Sequence, residues 1–140
     1  MSIKNSKIVV STTASLDILD ITDEVKRCLT ENHVAEGTVH LFIPGSTAAL
    51  TTIEYEPGVV NDLKKALERI VPEHISYAHD RKWGDGNGHA HVRAALVGPS
   101  LSIPVAEGCL QLGTWQQIVV CDFDTRPRNR TILVQIVNGR

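Results

Sequence analysis

Four of the chain's six histidines, His74, His79, His89 and His91, fall within 18 residues, where even spacing would place fewer than one. The last three bracket the run His79-Asp80-Arg81-Lys82-Trp83-Gly84-Asp85-Gly86-Asn87-Gly88-His89-Ala90-His91. Imidazole and carboxylate groups are ordinary ligands of divalent ions, and neutral imidazole is also a general base near pH 7. The run therefore admits two chemistries. In one, His79, His89 and His91 hold a divalent cation, Zn²⁺ or Mg²⁺, with Asp85 beside them. In the other, Asp85 orients His79 or His91 for proton transfer, as carboxylates commonly do for histidine. The plain alternative is a polar surface loop whose histidines bond its own backbone. His89 and His91 share a face only in an extended segment; on a helix they diverge by about 200°.

Other residues offer weaker signals. Gly86-Asn87-Gly88 ahead of a helix suggests an anion site, because free amides at a helix start point outward. Asn87 would contact such an anion and Arg93 or Lys82 would neutralise it, Arg93 being the better bidentate partner. Thr47 and Ser46, in the turn after Pro44-Gly45, can contact a ligand or simply satisfy backbone groups. Glu54 can act as acid or base, with a surface carboxylate as the ordinary reading. Trp115 is expected in the core, which would require a buried partner for Gln116. His40 reads as a core histidine, and His33 and His74 as structural.

The elements that must position these groups follow from hydrophobic period and punctuation. Residues 7–13 and 16–21 read as strands. Thr22-Asp23-Glu24 opens a helix with a capping hydroxyl and first-turn acids. Residues 38–43 alternate, with Val39, Leu41 and Ile43 on one face and His40 and Phe42 on the other. The stretch 48–56 is extended. Pro57 starts a long amphipathic helix that Pro72 ends. Residues 73–88 lose periodicity and read as a loop, followed by a short helix over 90–97. The strands LSIPVA, CLQL, TWQQIVVCDFD and RTILVQIV complete the chain. Many strands and about three helices without strict alternation indicate an α+β protein: residues 1–140 as one domain with a large mixed, mainly antiparallel sheet.

Composition excludes several classes. Fourteen Lys and Arg against sixteen Asp and Glu leave a net charge of −2, which argues against a nucleic-acid partner. The N-terminal apolar run Ile8-Val9-Val10 is too short for a signal peptide, and no window reaches the apolar length of a membrane span. Cys28, Cys109 and Cys121 are odd in number and widely spaced, which points to a reducing, cytoplasmic setting.

Four segments together resemble the YjbQ-like family, some of whose members are named secondary thiamine-phosphate synthases. These are residues 37–54, His79 through Arg93, Gly98-Pro99-Ser100-Leu101 and Gly113-Thr114-Trp115-Gln116, in that order along nearly the whole chain. The resemblance implies an α+β homotrimer. It also implies a site built from Asp85, His89 and His91, with His79, Glu54 and Gln116 nearby. The reaction implied joins a pyrimidine pyrophosphate to a thiazole phosphate. On that reading Asp85, His91, His79 and Glu54 are catalytic, and Thr47, Asn87, Arg93 and Gln116 contact the substrate. The alternatives are a metal-assisted hydrolase built on the histidine loop, and a trimeric binding protein for a small phosphorylated molecule without catalysis. The family often has His-Thr-Thr or His-Thr-Ser where this chain has Gly45-Ser46-Thr47, and Asn-Glu where it has Ile53-Glu54.

Overall fold

The strand β7 (Gln116–Asp122) decides the architecture. Its run Ile118-Val119-Val120-Cys121 is 0% exposed at every position, so both faces of the strand are covered. Ile118 and Val120 point into one hydrophobic core and Val119 and Cys121 into another. That is the period of two expected for a strand packed between two layers. The computed structural model describes residues 1–14 and 16–139.

The first layer is a five-stranded sheet in the order β1-β8-β3-β5-β6. Its strands are β1 (Ser2–Ser11), β3 (Gly37–Phe42), β5 (Ser100–Ala106), β6 (Cys109–Leu110) and β8 (Asn129–Asn138). The middle layer is a three-stranded sheet, β2-β7-β4, with β2 at Asp17–Asp20 and β4 at Ala48–Glu54. Helix α1 (Thr22–Glu31) joins the core between the two sheets through Val25, Cys28 and Leu29. Helices α2 (Pro57–Ile70) and α4 (Gly88–Val97) cover the other side of the middle sheet, where Leu67, Ala90 and Ala94 meet Ala49 and Val119. Each fully buried Val or Ile contributes about 1.5–3 kcal/mol.

The α+β class expected from sequence is the one observed, with the strands divided between two sheets and antiparallel in the observed pairings. The helices number four among the described residues rather than about three. The extra one, α3 (Ala78–Trp83), lies inside the stretch read as a loop. At six residues it is too short to show a hydrophobic period, and none of its residues is buried.

Two further expectations are corrected. Thr22 is the first helical residue of α1 rather than its cap. Its hydroxyl donates to Asp20 Oδ1 at 2.6 Å and accepts from Ile118 N at 2.8 Å, tying the helix start to β7. Trp115 is 72% exposed, not core, because it precedes β7 on the turn outside the packed layers.

Candidate metal centre and the network beneath it

Helices α3 and α4 bring the central histidines together. Gly84 ends α3 in the left-handed region (φ +66°), and Gly86 repeats that conformation (φ +67°), which side-chain-bearing residues rarely adopt. The chain reverses across Gly84-Asp85-Gly86 and enters α4. The rings of His79 on α3 and His91 on α4 then stand 4.3 Å apart, centroid to centroid. Gly88 permits this approach: a Cβ there would lie 2.4 Å from Tyr77 Cβ.

His79, Asp85 and His91 each present one ligand atom, and these atoms all lie within 4.8 Å of one another. His79 Nδ1 is 3.3 Å from Asp85 Oδ1 and 3.6 Å from Asp80 Oδ1. Those are ion-pair distances, but among the described residues the buried Nδ1 makes no hydrogen bond. An unpaired ring nitrogen facing carboxylate oxygens suits a cation between them. Ligands at about 2.1 Å from a metal are some 3.4 Å apart in tetrahedral geometry, so side-chain movements of about 1 Å would close the set. The residues fit a divalent ion.

His89 does not join them. Helix α4 begins at Gly88, so His89 and His91 diverge around its axis. His91 is half-buried on the outer face, whereas His89 is 2% exposed and turned into the protein. Burial pushes the His89 imidazole below its ordinary pKa, and its Nδ1 lacks a hydrogen-bond partner among the described residues.

The helix-start anion site is also corrected. Gly88 N donates to Asp80 Oδ1 at 2.8 Å and Asn87 N to Asp85 Oδ1 at 3.1 Å. The chain's own carboxylates thus occupy two amides at the positive end of α4. Arg93 is equally committed. It is 3% exposed, donates from Nε and Nη2 to Val71 O, and pairs with Glu68 at 2.8 Å. It closes the C-terminal end of α2 and has no free face for phosphate.

Asn87 and Thr47 belong to a buried network rather than an open contact surface. Thr47 Oγ1 donates to Asp124 Oδ2 at 2.9 Å and accepts from Arg130 Nη2 at 2.7 Å. Asn87 Nδ2 donates to Asp124 Oδ1 at 3.3 Å, and its Oδ1 accepts from Thr125 N at 3.0 Å. Arg130 pairs with Asp122 through Nε at 2.8 Å and Nη2 at 3.0 Å. These bonds tie the turn carrying Asp85 to the ends of β4 and β7 and the start of β8. Sequence reading missed Asp122, Asp124 and Arg130, although a signal was present. Arg130 is in phase with Ile132, Val134 and Ile136 on the buried face of β8, so it required an internal counter-charge.

Burial alone would raise the Asp124 carboxyl, but bonds from Arg126 N, Thr47, Asn87 and Arg128 outweigh it and hold the pKa at about 2. A carboxyl depressed on folding stabilises the protein above its unfolded value, 3.8, and that contribution is lost as pH falls toward 2. About 2 kcal/mol should disappear across this window. Thermal melts should show an Asp124→Asn variant losing less stability than the parent between pH 4 and 2; parallel curves would refute the assignment.

Glu54 and Gln116 stand elsewhere. They face each other across β4 and β7, at the end of β4 remote from Ala48, about 20 Å along the strand. Gln116 is exposed, and its Nε2 donates to Thr52 Oγ1 at 2.9 Å. The end of β4 near the histidines instead opens a depression of about 270 Å³, lined by Gly45, Ser46, Ala48, His91, Ala94, Ala95 and Pro99.

Residues 6–139 match the family model described as UPF0047 protein YjbQ-like. The chain belongs to the YjbQ/UPF0047 family. It is 39% identical over 129 residues to a UPF0047 protein of Archaeoglobus fulgidus, covering 92% of this chain and 98% of that one. The UPF0047 protein YugU of Bacillus subtilis is 35% identical over 130 residues, covering 91% and 95%. A crystal structure of an uncharacterised YjbQ/UPF0047 protein from Clostridium acetobutylicum superposes with a TM-score of 0.86 at 35% identity, covering 94% of this chain and 99% of that one. A hypothetical protein from Aeropyrum pernix gives 0.89 at 29%, covering 97% and 99%.

Within this YjbQ-family chain, Gly45 has a local reason. Its φ is +118°, and an added Cβ would lie 3.2 Å from Arg130 Nη1. A histidine at 45 would need a different turn and a shifted Arg130. With glycine there, the depression beside His91 stays open, and the exposed Ser46 hydroxyl borders it.

Proposed function

We propose that this protein is a divalent-metal-dependent transferase acting on small phosphorylated molecules, similar to a secondary thiamine-phosphate synthase. The observation that carries the metal is the convergence of His79, Asp85 and His91. Two imidazoles and one carboxylate favour Zn²⁺, Mn²⁺ or Fe²⁺ over Mg²⁺, which prefers an all-oxygen shell. A bound cation would stabilise negative charge on a departing pyrophosphate.

The protein's own groups divide the remaining work. Gly45 and Ser46 leave room beside His91 for a substrate. Arg126 replaces Arg93 as the candidate phosphate contact. Its guanidinium is exposed, and its loop is joined to Asn87 through Thr125 N. In the reaction a pyrimidine-methyl C–O bond breaks, a C–N bond to the thiazole forms, and pyrophosphate leaves. No proton need move, so His91 and His79 serve better as ligands than as bases. The exposed side of the cluster also admits water, which supports hydrolysis as the second reading.

Zn²⁺- or Mn²⁺-loaded protein should form thiamine phosphate only when both substrates are present, and Arg126→Ala should raise KM more than it lowers kcat. Pyrophosphate release without the thiazole acceptor would favour the hydrolase. Binding without turnover would leave a binding protein.

A homotrimer and a cytoplasmic setting complete the proposal. Among the described residues no helix lies over the outer face of the five-stranded sheet, and Phe42 and Leu133 line a cavity of about 700 Å³ there. That face suits a second copy. All three cysteines are free thiols, and among the described residues no helix is long and apolar enough to cross a membrane. Light scattering should give three times the 15.3 kDa chain mass; a single-chain mass would exclude the assembly.

A further inference from the structure

The end of β4 remote from the histidines carries a second concavity of about 270 Å³, lined by Glu54, Tyr55, Glu56, Pro57, Trp115 and Gln117. The metal-centre reading makes no use of it. We infer that this concavity binds a small organic cation, of the quaternary ammonium or heteroaromatic type, between the Trp115 and Tyr55 rings and the Glu54 carboxylate.

The walls are held in place. Tyr55 Oη donates to Ile18 O at 2.8 Å, which fixes its ring at the rim. The turn that presents Trp115 is pinned by Gln116, whose Oε1 accepts from Gly113 N at 3.0 Å while Nε2 bonds Thr52. An indole left 72% exposed on a braced turn is a prepared surface, in a chain with only two tryptophans. The other, Trp83, is also exposed, but Lys82 Nζ already stands 5.4 Å from its ring centroid. Among the described residues no protein cation covers Trp115.

Charge selects the ligand class. Among the described residues no basic side chain lines the concavity, and the Glu54 carboxylate has no hydrogen-bond or ion-pair partner. The start of α2 would ordinarily attract an anion, but Glu56 accepts from Gly58 N at 2.7 Å and Val59 N at 2.9 Å, which occupies those amides with a carboxylate. A cation over an aromatic face is attracted by the ring quadrupole, and a nearby carboxylate adds Coulomb attraction. A phosphate would meet only negative charge.

Fluorescence of the full chain tests this, with a Trp83→Phe background so that Trp115 alone reports. Choline is the probe, and its neutral isostere 3,3-dimethyl-1-butanol is the control. Saturable quenching by choline and none by the alcohol is expected. Glu54→Gln should weaken choline affinity about tenfold while the variant keeps the parent's circular-dichroism spectrum and Tm, which shows that it folds. Equal responses to both probes, or an unchanged affinity in Glu54→Gln, would overturn the inference. So would Trp115 shielded from acrylamide in the ligand-free protein, which would mean that a second copy covers this surface.

Discussion

Asp122→Ala should lower stability by about 3–5 kcal/mol, the usual cost of stranding one member of a buried ion pair. Asp122 is 0% exposed and receives two bonds from Arg130, itself 9% exposed. Arg130 projects from the inward face of β8 beside Ile132, so its charge is left largely desolvated once the carboxylate is removed. The remaining acceptor, Thr47 Oγ1, is neutral, and Asp124 lies 3.8 Å away and already holds Thr47, Asn87 and Arg128. For a chain of this length the loss corresponds to a fall of roughly 10–20 °C in Tm. Replacing both members, as Asp122→Leu with Arg130→Met, should recover most of that loss, because paired apolar groups avoid the desolvation cost. Calorimetry of the single and double variants decides it. A single variant within 1 °C of the parent would show that the pair is not a keystone of this junction.

His91→Ala should reduce divalent-metal affinity by more than the ~10–100-fold typical of losing an outer-shell partner, since it removes one of the three proposed ligands. His89→Leu, two residues away, should leave affinity nearly unchanged. The contrast follows from helix geometry alone: α4 turns His91 outward to His79 and buries His89. The second substitution also removes a buried nitrogen that lacks a partner, so it should be neutral or slightly stabilising. Titration calorimetry with Zn²⁺ measures both. Equal losses would mean that the two histidines share one site and that α4 starts later than Gly88.

Much of this was legible in the chain. Strict alternation in β3 located its buried face, and the recurrence of Val60, Leu63 and Leu67 located α2 and the side it buries. The glycine-punctuated run from His79 to His91 marked the candidate centre. Its internal geometry was not legible, because the role of His89 depends on whether the helix begins at Gly88 or Ala90, and a two-residue difference reverses its direction. The destinations of Arg93, Asn87 and Thr47 were hidden for another reason. Their partners, Val71 O, Asp124 and Arg130, lie 22, 37 and 83 residues away, and no local pattern encodes pairings at that range. Glu54 and Gln116 looked like neighbours of the histidines only through family likeness; β4 carries Glu54 to its other end, where Gln116 of β7 pairs with it.

The most direct test of the metal centre is anomalous diffraction from crystals grown with Zn²⁺. A single peak bonded to His79, Asp85 and His91, with His89 outside its shell, is the predicted result. A peak elsewhere, or none at full Zn²⁺ loading, would contradict it.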